Sequence, residues 1–230
     1  MKIKHMTDPG VRLVLVRHGE SRWNVEDRYQ GQEDSGLTET GATQAEVVAE
    51  VLASRFGAAG LVLSSDLPRA RDTAEPYLRR IGGTVREDAR LREINVGTWT
   101  GRTRAEVAAA HPDDIAAFEG GVDIARGGGE TYREVRKRVW AALDEAAAET
   151  NGTVEAAAEA TGTVVVFTHG GPIRVATAEA LGVPAPGERA FAPVLNCSYT
   201  VIHHGGPDGP HVLVAYNAPT TAGSRSTRVE

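Results

Sequence analysis

The chain has 230 residues, of which 41% are hydrophobic and 24% are charged, and its formal net charge is −6. This length allows a substantial core, and we expect a single domain over residues 1–217 and a disordered tail over 218–230. The negative charge argues against nucleic acid as a partner, because binding to a phosphate backbone needs a basic surface. No apolar run approaches the ~18 residues of a membrane span.

The single cysteine, Cys197, has no partner for an internal disulfide. This fits a reducing compartment, and because the N-terminus lacks an apolar core of signal-peptide length, we predict a cytoplasmic location. The apolar and aromatic neighbours of Cys197 favour a structural thiol over a nucleophile.

The first predicted strand, over residues 13–16, ends in an abrupt change of polarity to Arg17, His18, Gly19 and Glu20. In open α/β sheets, ligands bind outside the carboxyl ends of the strands, so this is where we expect chemistry. Arg17 offers a planar guanidinium that holds an anion with two hydrogen bonds. His18 is a neutral nucleophile or a proton carrier near physiological pH. An Arg-His pair on its own is nevertheless more typical of a surface or an ion pair.

Two helices and two short strands are predicted next. Thr38 is a candidate N-cap for a helix whose apolar face is formed by Ala45, Val48, Ala49, Leu52 and Phe56. Residues 61–64 predict a second buried strand. A further helix is predicted to begin with Asp66 as its cap and Pro68 in its first turn, before a brief third strand at 84–86.

The middle of the chain alternates loops with capped helices. Residues 91–101 predict an irregular loop, and the glycine-rich residues 120–129 predict a surface loop. Two capping-box patterns predict helix starts, at Thr103 with Glu106 and at Thr131 with Glu134. The alanine- and glutamate-rich residues 151–162 have little bulk to bury and predict a loosely attached connector.

Residues 163–168 are the clearest strand, apolar on both faces as in a central parallel strand. They lead directly into His169 and a helix that ends near Leu181, and residues 197–203 and 211–216 predict a hairpin. Because strands alternate with helices, we predict an α/β fold: a three-layer α/β/α sandwich with a mostly parallel central sheet.

Three predicted strand ends carry unusual polar groups, namely Arg17-His18, Ser64-Ser65 leading to Arg69, and His169. Glu93 lies in a glycine-punctuated loop between them. Since the carboxyl ends of parallel strands share one edge, two arginines and two histidines would surround one pocket with a carboxylate at its rim. Without an anion, that grouping is opposed by repulsion and desolvation. A phosphoryl dianion would neutralise it and accept its hydrogen bonds.

At this point a resemblance to a known family can be stated. Residues 17–24 resemble the Arg-His-Gly-Glu signature of the histidine phosphatase superfamily, which has a phosphoglycerate mutase-like fold. Later motifs of that family are matched in the same order by residues 65–70, 91–93 with 97–101, and 168–170. The resemblance covers residues 11 to 217, and four ordered motifs are far more specific than any one of them.

The resemblance implies a phosphomonoester hydrolase that works through phosphohistidine. His18 is then the nucleophile, and Glu93 protonates the leaving oxygen and later deprotonates water. The phosphoryl oxygens are expected to be bound by Arg17, Arg69 and His169. The further implied substrate-binding residues are Asn24, Gln30, Gly31 and Gly170. No cofactor and no metal is expected, because the Arg/His cage takes the electrostatic role of a metal.

Within the family, residues 94–101 and the Gly-Glu-Thr run at 129–131 resemble the phosphatase branch rather than the mutases. A phosphoglycerate mutase-type phosphotransferase remains the alternative, and a non-catalytic phosphate-binding scaffold is a further one. The expected substrate is a small phosphorylated metabolite, a sugar phosphate or phosphoglycerate derivative. The substrate cleft is expected to be walled by residues near 22–34, 94–104 and 111–128. The C-terminal hairpin offers a possible edge for a homodimer.

Overall fold

The computed structural model describes residues 10–154, 162–206 and 209–220. Its six strands are β1 (Val11–Arg17), β2 (Leu61–Ser64), β3 (Arg86–Glu87), β4 (Thr163–Thr168), β5 (Tyr199–His204) and β6 (Val212–Ala218). All six belong to one sheet in the order β3-β2-β4-β1-β5-β6. The pairs β1–β4, β2–β4 and β2–β3 are parallel, whereas β5 is antiparallel to both β1 and β6. The predicted, mostly parallel central sheet is therefore confirmed.

The seven helices among the described residues are α1 (Arg22–Val25), α2 (Glu39–Phe56), α3 (Pro68–Ile81), α4 (Arg104–Ala110), α5 (Pro112–Glu119), α6 (Tyr132–Val154) and α7 (Gly170–Ala180). Alternate residues of β1 point to opposite faces of the sheet, because side chains alternate along a strand. Leu13 and Leu15 pack with residues of α6 and α7, while Val14 and Val16 pack with residues of α2 and α3. These two cores on opposite faces of the sheet give the predicted α/β/α sandwich.

Several helix starts follow the predicted chemistry. The Thr38 hydroxyl accepts a hydrogen bond from Gly41 N at the start of α2, and Thr103 and Glu106 form the predicted capping box of α4. Thr131 and Glu134 exchange the same pair of hydrogen bonds at the start of α6. The short side chains at these caps satisfy backbone N–H groups that have no partner inside the helix.

The predicted cap of α3 is wrong. Leu67 occupies the cap position, and the Asp66 carboxylate instead pairs with Arg92, which lowers the pKa of Asp66. The backbone N–H of Arg69 donates to Asp34 Oδ1 at 3.1 Å, so a carboxylate from a distant loop serves this helix end. Helix α3 continues through Pro76 to Ile81 and ends at Gly82 in the left-handed conformation.

Other boundaries differ from the sequence expectations. Helix α5 was not predicted, although Pro112 stands at its first position and two aspartates lie in its first turn. The third strand covers only Arg86–Glu87, one 3-10 turn (Ala89–Leu91) leads into the predicted loop at 91–101, and a second (Gly97–Trp99) lies within it. Helix α6 extends to Val154, into the predicted connector, whose residues 155–161 lie outside the described residues.

The C-terminal hairpin is present as β5 and β6, although residues 207 and 208 of its connection are not described. The predicted tail begins too early, because Ala218 closes β6 and pairs with Tyr199. Residues 221–230 of that tail lie outside the described part of the chain. Among the helices that the structure describes, none has the length and apolar character needed to cross a membrane.

Candidate active site

The two predicted active-site histidines are brought together by strand pairing. Arg17, the last residue of β1, is in register with Thr168, the last residue of β4. His18 N continues the ladder by donating to the Thr168 carbonyl at 3.0 Å. His18 and His169 therefore leave neighbouring strand ends, and their ring centroids are 5.2 Å apart. The strand order of the sheet thus explains why residues far apart in sequence share one site.

The His18 imidazole is buried and held in one tautomer. Its Nδ1 lies 2.7 Å from the Gly19 carbonyl oxygen, which can only accept a hydrogen bond, so we assign the proton to Nδ1. Burial, reinforced by the positive charges of Arg69 and Arg17, lowers the pKa of His18 well below its ordinary value. The ring is therefore neutral at physiological pH, and Nε2 carries a lone pair. This is the form of imidazole that acts as a nucleophile.

The loop after His18 is fixed by close backbone contact with the start of α2. A Cβ atom added at Gly19 would stand 2.5 Å from the Gly41 carbonyl oxygen, so a side chain does not fit there. Gly19 N donates to Thr73 Oγ1 at 3.0 Å, and the Thr38 hydroxyl donates to Glu20 Oε1 at 2.8 Å. Glu20 therefore shapes the loop through a hydrogen bond.

Two buried arginines lie beside His18. The Arg17 Nη1 atom donates to the Val194 carbonyl at 2.5 Å. The Arg69 guanidinium donates to the carbonyl oxygens of Gly31 at 2.8 Å and Glu33 at 2.6 Å, and it lies 3.4 Å from Asp34 Oδ1. These contacts orient the two planar groups beside the nucleophile, where they can hold an anion. Burial lowers the pKa of Arg69.

Glu93 lies at the edge of the same cavity, with 8% of its surface exposed. Its Oε1 atom accepts a hydrogen bond from Ile94 N at 2.8 Å, and Oε2 accepts one from Gly171 N at 3.2 Å. The carboxyl group is thus positioned by two backbone donors, one in its own loop and one in the first turn of α7. A carboxyl group held in this way can exchange a proton with a bound molecule.

His169 is buried beside the nucleophile. It is fully buried, its Nε2 lies 2.9 Å from Ser65 Oγ, and its Nδ1 has no hydrogen-bond partner. Burial, followed by the charge of Arg69, lowers the pKa of His169 well below its ordinary value. The ring packs beside His18 but is not among the residues that line the cavity. Its role as a phosphate ligand therefore stays a prediction.

The cavity has a volume of about 30 Å³. The predicted site residues that line it are Arg17, His18, Asn24, Gln30, Gly31, Arg69 and Glu93. The other lining residues all come from the loops predicted to form the cleft wall, and they are Arg28, Tyr29, Ile94, Val96 and Arg126.

The predicted substrate-binding residues differ in how the structure uses them. Asn24 Oδ1 accepts hydrogen bonds from Ser21 N and Asn196 Nδ2, both at 3.1 Å, which directs this oxygen toward the protein. The Gly31 carbonyl accepts from Arg69, so this loop contacts both the cavity and the arginine. Gly170 is the first residue of α7 and is not among the lining residues.

Arg126 was not singled out from the sequence. Residues 120–129 were predicted to form a surface loop, but Arg126 is only 2% exposed and lines the cavity. Its guanidinium carbon lies 4.2 Å from the centroid of the Phe118 ring and 4.6 Å from that of Tyr132. The available signal was an arginine directly before the three glycines at 127–129, although such a residue is more often exposed.

Three further polar side chains lie outside the cavity. Cys197 is buried, and burial raises the pKa of its thiol, as expected for a structural cysteine. The Arg71 Nη1 atom lies 3.4 Å from Glu87 Oε1. His204 Nε2 lies 2.7 Å from Asp144 Oδ1. That partner comes from α6 and is distant in sequence.

The charged residues of the site are not arranged as metal ligands. Within residues 10–154, 162–206 and 209–220, no group of three or more His, Cys, Asp or Glu side chains is arranged to hold a metal ion. The polar groups that line the cavity are mainly cationic, with four arginines and one glutamate. This donor set suits an anion.

Comparisons with known proteins agree with the residues of the site. The model of the histidine phosphatase superfamily (branch 1) matches residues 13–218. A glucosyl-3-phosphoglycerate phosphatase of Mycolicibacterium vanbaalenii is 42% identical over 75% of this chain and 75% of its own length. A solved mycobacterial glucosyl-3-phosphoglycerate phosphatase in complex with VO₃ has a TM-score of 0.79 and 37% identity, covering 90% of this chain and 99% of that one.

Two relatives with other names have the same identity to this chain as one another. A metal-independent phosphoserine phosphatase of Arabidopsis thaliana is 34% identical over 83% of this chain and 75% of its own length. A probable phosphoglycerate mutase of Erwinia tasmaniensis is 34% identical over 84% of this chain and 85% of its own length. The identity to both is lower than that to the mycobacterial phosphatases.

Proposed function

Because the chain belongs to the histidine phosphatase superfamily, we propose that it hydrolyses small phosphate monoesters with His18 as the nucleophile. The observation that carries this proposal is the state of His18. Its Nδ1 donates to the Gly19 carbonyl, its pKa is lowered by burial, and it faces a cavity lined by Arg17 and Arg69. A neutral imidazole beside two fixed cations suits attack on an anionic phosphorus centre.

In the first step of the proposed reaction, His18 Nε2 attacks the phosphorus atom and the bond to the leaving oxygen breaks. Protonated Glu93 gives its proton to that oxygen, so the alcohol departs neutral and Glu93 becomes a carboxylate. General acid catalysis of this kind contributes roughly 10²–10⁴-fold. Arg17 and Arg69 hold the phosphoryl oxygens while charge moves onto them.

In the second step, water attacks the phosphorus of phosphohistidine. The Glu93 carboxylate takes a proton from that water, the bond from Nε2 to phosphorus breaks, and inorganic phosphate leaves. His18 and Glu93 return to their starting forms. No metal or cofactor takes part in this scheme, in keeping with the name of the metal-independent phosphoserine phosphatase among the relatives.

The proposed substrate is a sugar phosphate or phosphoglycerate derivative. This proposal is supported by the relatives named glucosyl-3-phosphoglycerate phosphatase, which have the highest identity of those described above. Glucosyl-3-phosphoglycerate, phosphoserine and phosphoglycerate are all phosphate monoesters of acids, so each joins a phosphate to a carboxylate. A substrate of that class is compatible with the small cationic cavity.

The test is phosphate release from a panel of phosphomonoesters at acidic and neutral pH, with wild-type protein and the variant His18→Ala. We expect the variant to lose at least about 10³-fold in kcat, and wild-type protein quenched during turnover of ³²P-labelled substrate to carry acid-labile phosphate. His203→Ala is the matched control, because His203 is exposed on β5. Turnover by His18→Ala at the wild-type rate would contradict the proposal, whereas full biological activity of a His18→Ala variant that releases no phosphate would support the scaffold alternative.

A mutase of the same family is the alternative. It would transfer the phosphoryl group between hydroxyls of a sugar acid and would be stimulated by bisphosphoglycerate, whereas a hydrolase needs no such primer. The comparison of phosphate release with and without bisphosphoglycerate separates the two. We expect release at the same rate in both conditions.

Cytoplasmic location and a homodimer stay proposals. Strand β6 is the last strand of the sheet, and Val212 and Val214 on it are exposed, which supports pairing of two such edges. Light scattering of the full chain measures the mass in solution. A dimer that is dissociated by Val214→Lys is the expected result, and a monomer at all concentrations would contradict it.

A further inference from the structure

The guanidinium of Arg126 is held in the cavity wall by aromatic rings rather than by carboxylates. It is stacked between Phe118 and Tyr132, at 4.2 and 4.6 Å from their centroids. The loop that carries it is docked on the loop after Glu93, because Glu130 N donates to the Asn95 carbonyl at 2.8 Å. Arg126 thus has a defined position at the cavity, supplied by packing.

The same guanidinium lacks polar partners. Among the residues that the structure describes, none forms a hydrogen bond or an ion pair with it, and its buried Nη2 atom has no acceptor. Other buried arginines differ, since Arg136 pairs with Glu179 and Arg69 donates to two carbonyls. A buried cation is costly unless it is paired, so Arg126 is poised to receive an anion.

The other arginines that line the cavity already have a proposed role or partners within the protein. Arg17 and Arg69 flank the nucleophile and hold the phosphoryl group in the proposed reaction. Arg28 lies against Glu26 and Glu106 and donates to the Gly101 carbonyl. A substrate whose phosphate occupies the site at His18 therefore leaves Arg126 as a cation that can meet a second negative group.

We propose that Arg126 binds the carboxylate of the substrate and so selects phosphate esters of hydroxy acids over esters of neutral alcohols. A guanidinium presents two parallel N–H groups that match the two oxygens of one carboxylate. The inference rests on the proposed function, because it takes the phosphate to lie at His18. The inference adds the substrate class, phosphate esters of hydroxy acids, and names Arg126 as the residue that recognises the carboxylate.

The test compares two probes that differ in a single group, 3-phosphoglycerate with a carboxylate and glycerol 3-phosphate with a hydroxymethyl group in its place. Dissociation constants are measured by calorimetry in the His18→Ala background, so that the result does not depend on turnover. We expect 3-phosphoglycerate to bind at least about 30-fold more tightly, as for a buried charge pair. Adding Arg126→Met is expected to reduce this preference to within about threefold.

Two further variants complete the design. Arg189→Met is the matched control, because Arg189 stacks on the same Phe118 ring at 4.5 Å but is not among the cavity residues. It is expected to keep the preference. Arg126→Lys retains the charge without the planar fork and is expected to keep only part of the preference. If Arg126→Met does not fold, equal affinity for the two probes in His18→Ala still overturns the inference, and a reduced preference in Arg126→Lys supports it.

The outcomes separate this inference from the proposed function. Equal affinity for the two probes with Arg126 present, or an unchanged preference after Arg126→Met, would overturn the carboxylate subsite even if His18-dependent hydrolysis is found. A preference that is lost with Arg126→Met and kept with Arg189→Met would support the subsite, even if the wild-type protein released no phosphate. That pattern together with no phosphate release by the wild-type protein would refute hydrolysis and leave the subsite standing.

Discussion

Gly171 lies where the first turn of α7 meets the carboxyl group of Glu93, and adding one methyl group there tests the role of that carboxyl group. In Gly171→Ala, the new Cβ would stand 2.3 Å from Glu93 Oε1 and 3.0 Å from the Tyr132 ring. Normal contact is about 3.5 Å, so the carboxylate must move by about 1 Å. A misplacement of about 1 Å can cost about 10²-fold in rate.

The assay compares two kinds of leaving group. An alkyl phosphate releases a poor leaving group and needs protonation by Glu93, whereas p-nitrophenyl phosphate releases a stable phenolate and needs little. We expect Gly171→Ala to lower kcat about 10²-fold on the alkyl ester and less than about tenfold on p-nitrophenyl phosphate. Glu93→Gln adds no atoms to the turn and is expected to show the same dependence on the leaving group.

Gly60→Ala is the matched control, because a Cβ at Gly60 would meet its nearest neighbours at 3.8 and 3.9 Å. It is expected to keep wild-type rates on both substrates. Equal losses on the two substrates for both Gly171→Ala and Glu93→Gln would refute the assignment of Glu93 as the general acid. So would a wild-type rate on the alkyl ester for Glu93→Gln.

Three more outcomes are expected. Burial lowers the pKa of His169, so below about pH 6.5 this residue binds more protons in the unfolded chain than in the folded one, and stability is lost as the pH falls. His169→Gln removes this effect, so the decline of Tm between about pH 7 and 5 in thermal unfolding should be flatter for the variant. Asp34→Ala removes the acceptor of Arg69 N and Nη1, and steady-state kinetics should show a KM raised about tenfold with a smaller change in kcat. Cys197 is buried with a raised pKa, so a thiol reagent should label it only after unfolding; rapid labelling of the native protein would contradict its packing.

The central strands and the catalytic strand ends could be predicted because their signal is local. The apolar run at 163–168 is buried along its whole length, and the polar residues directly after β1 and β4 mark the edge where the site lies. Thr38 could likewise be assigned as a cap from its own position, because the hydrogen bond it makes reaches only three residues along the chain.

The errors concern partners that are distant in sequence. Asp66 is of a residue type that often caps helices, but Arg92 binds its carboxylate. Asp34 instead accepts the hydrogen bond from Arg69 N at the helix end. His204 has no acidic neighbour in sequence and finds Asp144 across the fold. No periodicity or spacing encodes such pairs, since they depend on how the elements pack.

Arg126 shows the same limit within the candidate site. A glycine-rich segment normally predicts exposure, and it does so here for the residues around it. Burial of Arg126 depends on Phe118 and Tyr132, which approach from α5 and from the start of α6. The wall of the cleft was predicted as a set of loops, but the burial of the Arg126 guanidinium at the cavity without a polar partner among the described residues could be found only from the coordinates.

The position of β4 bears on how the protein is made. It is inserted between β1 and β2, although both of those strands precede it in the chain by about a hundred residues or more. A nascent polypeptide that stops before Thr163 has a gap in the middle of its sheet and lacks His169, one of the two histidines of the candidate site. Assembly of the sheet must therefore wait for late translation, and such non-local pairing is slow. Premature termination is expected to yield an aggregation-prone fragment with no partial activity, since both edges of the gap expose unpaired backbone.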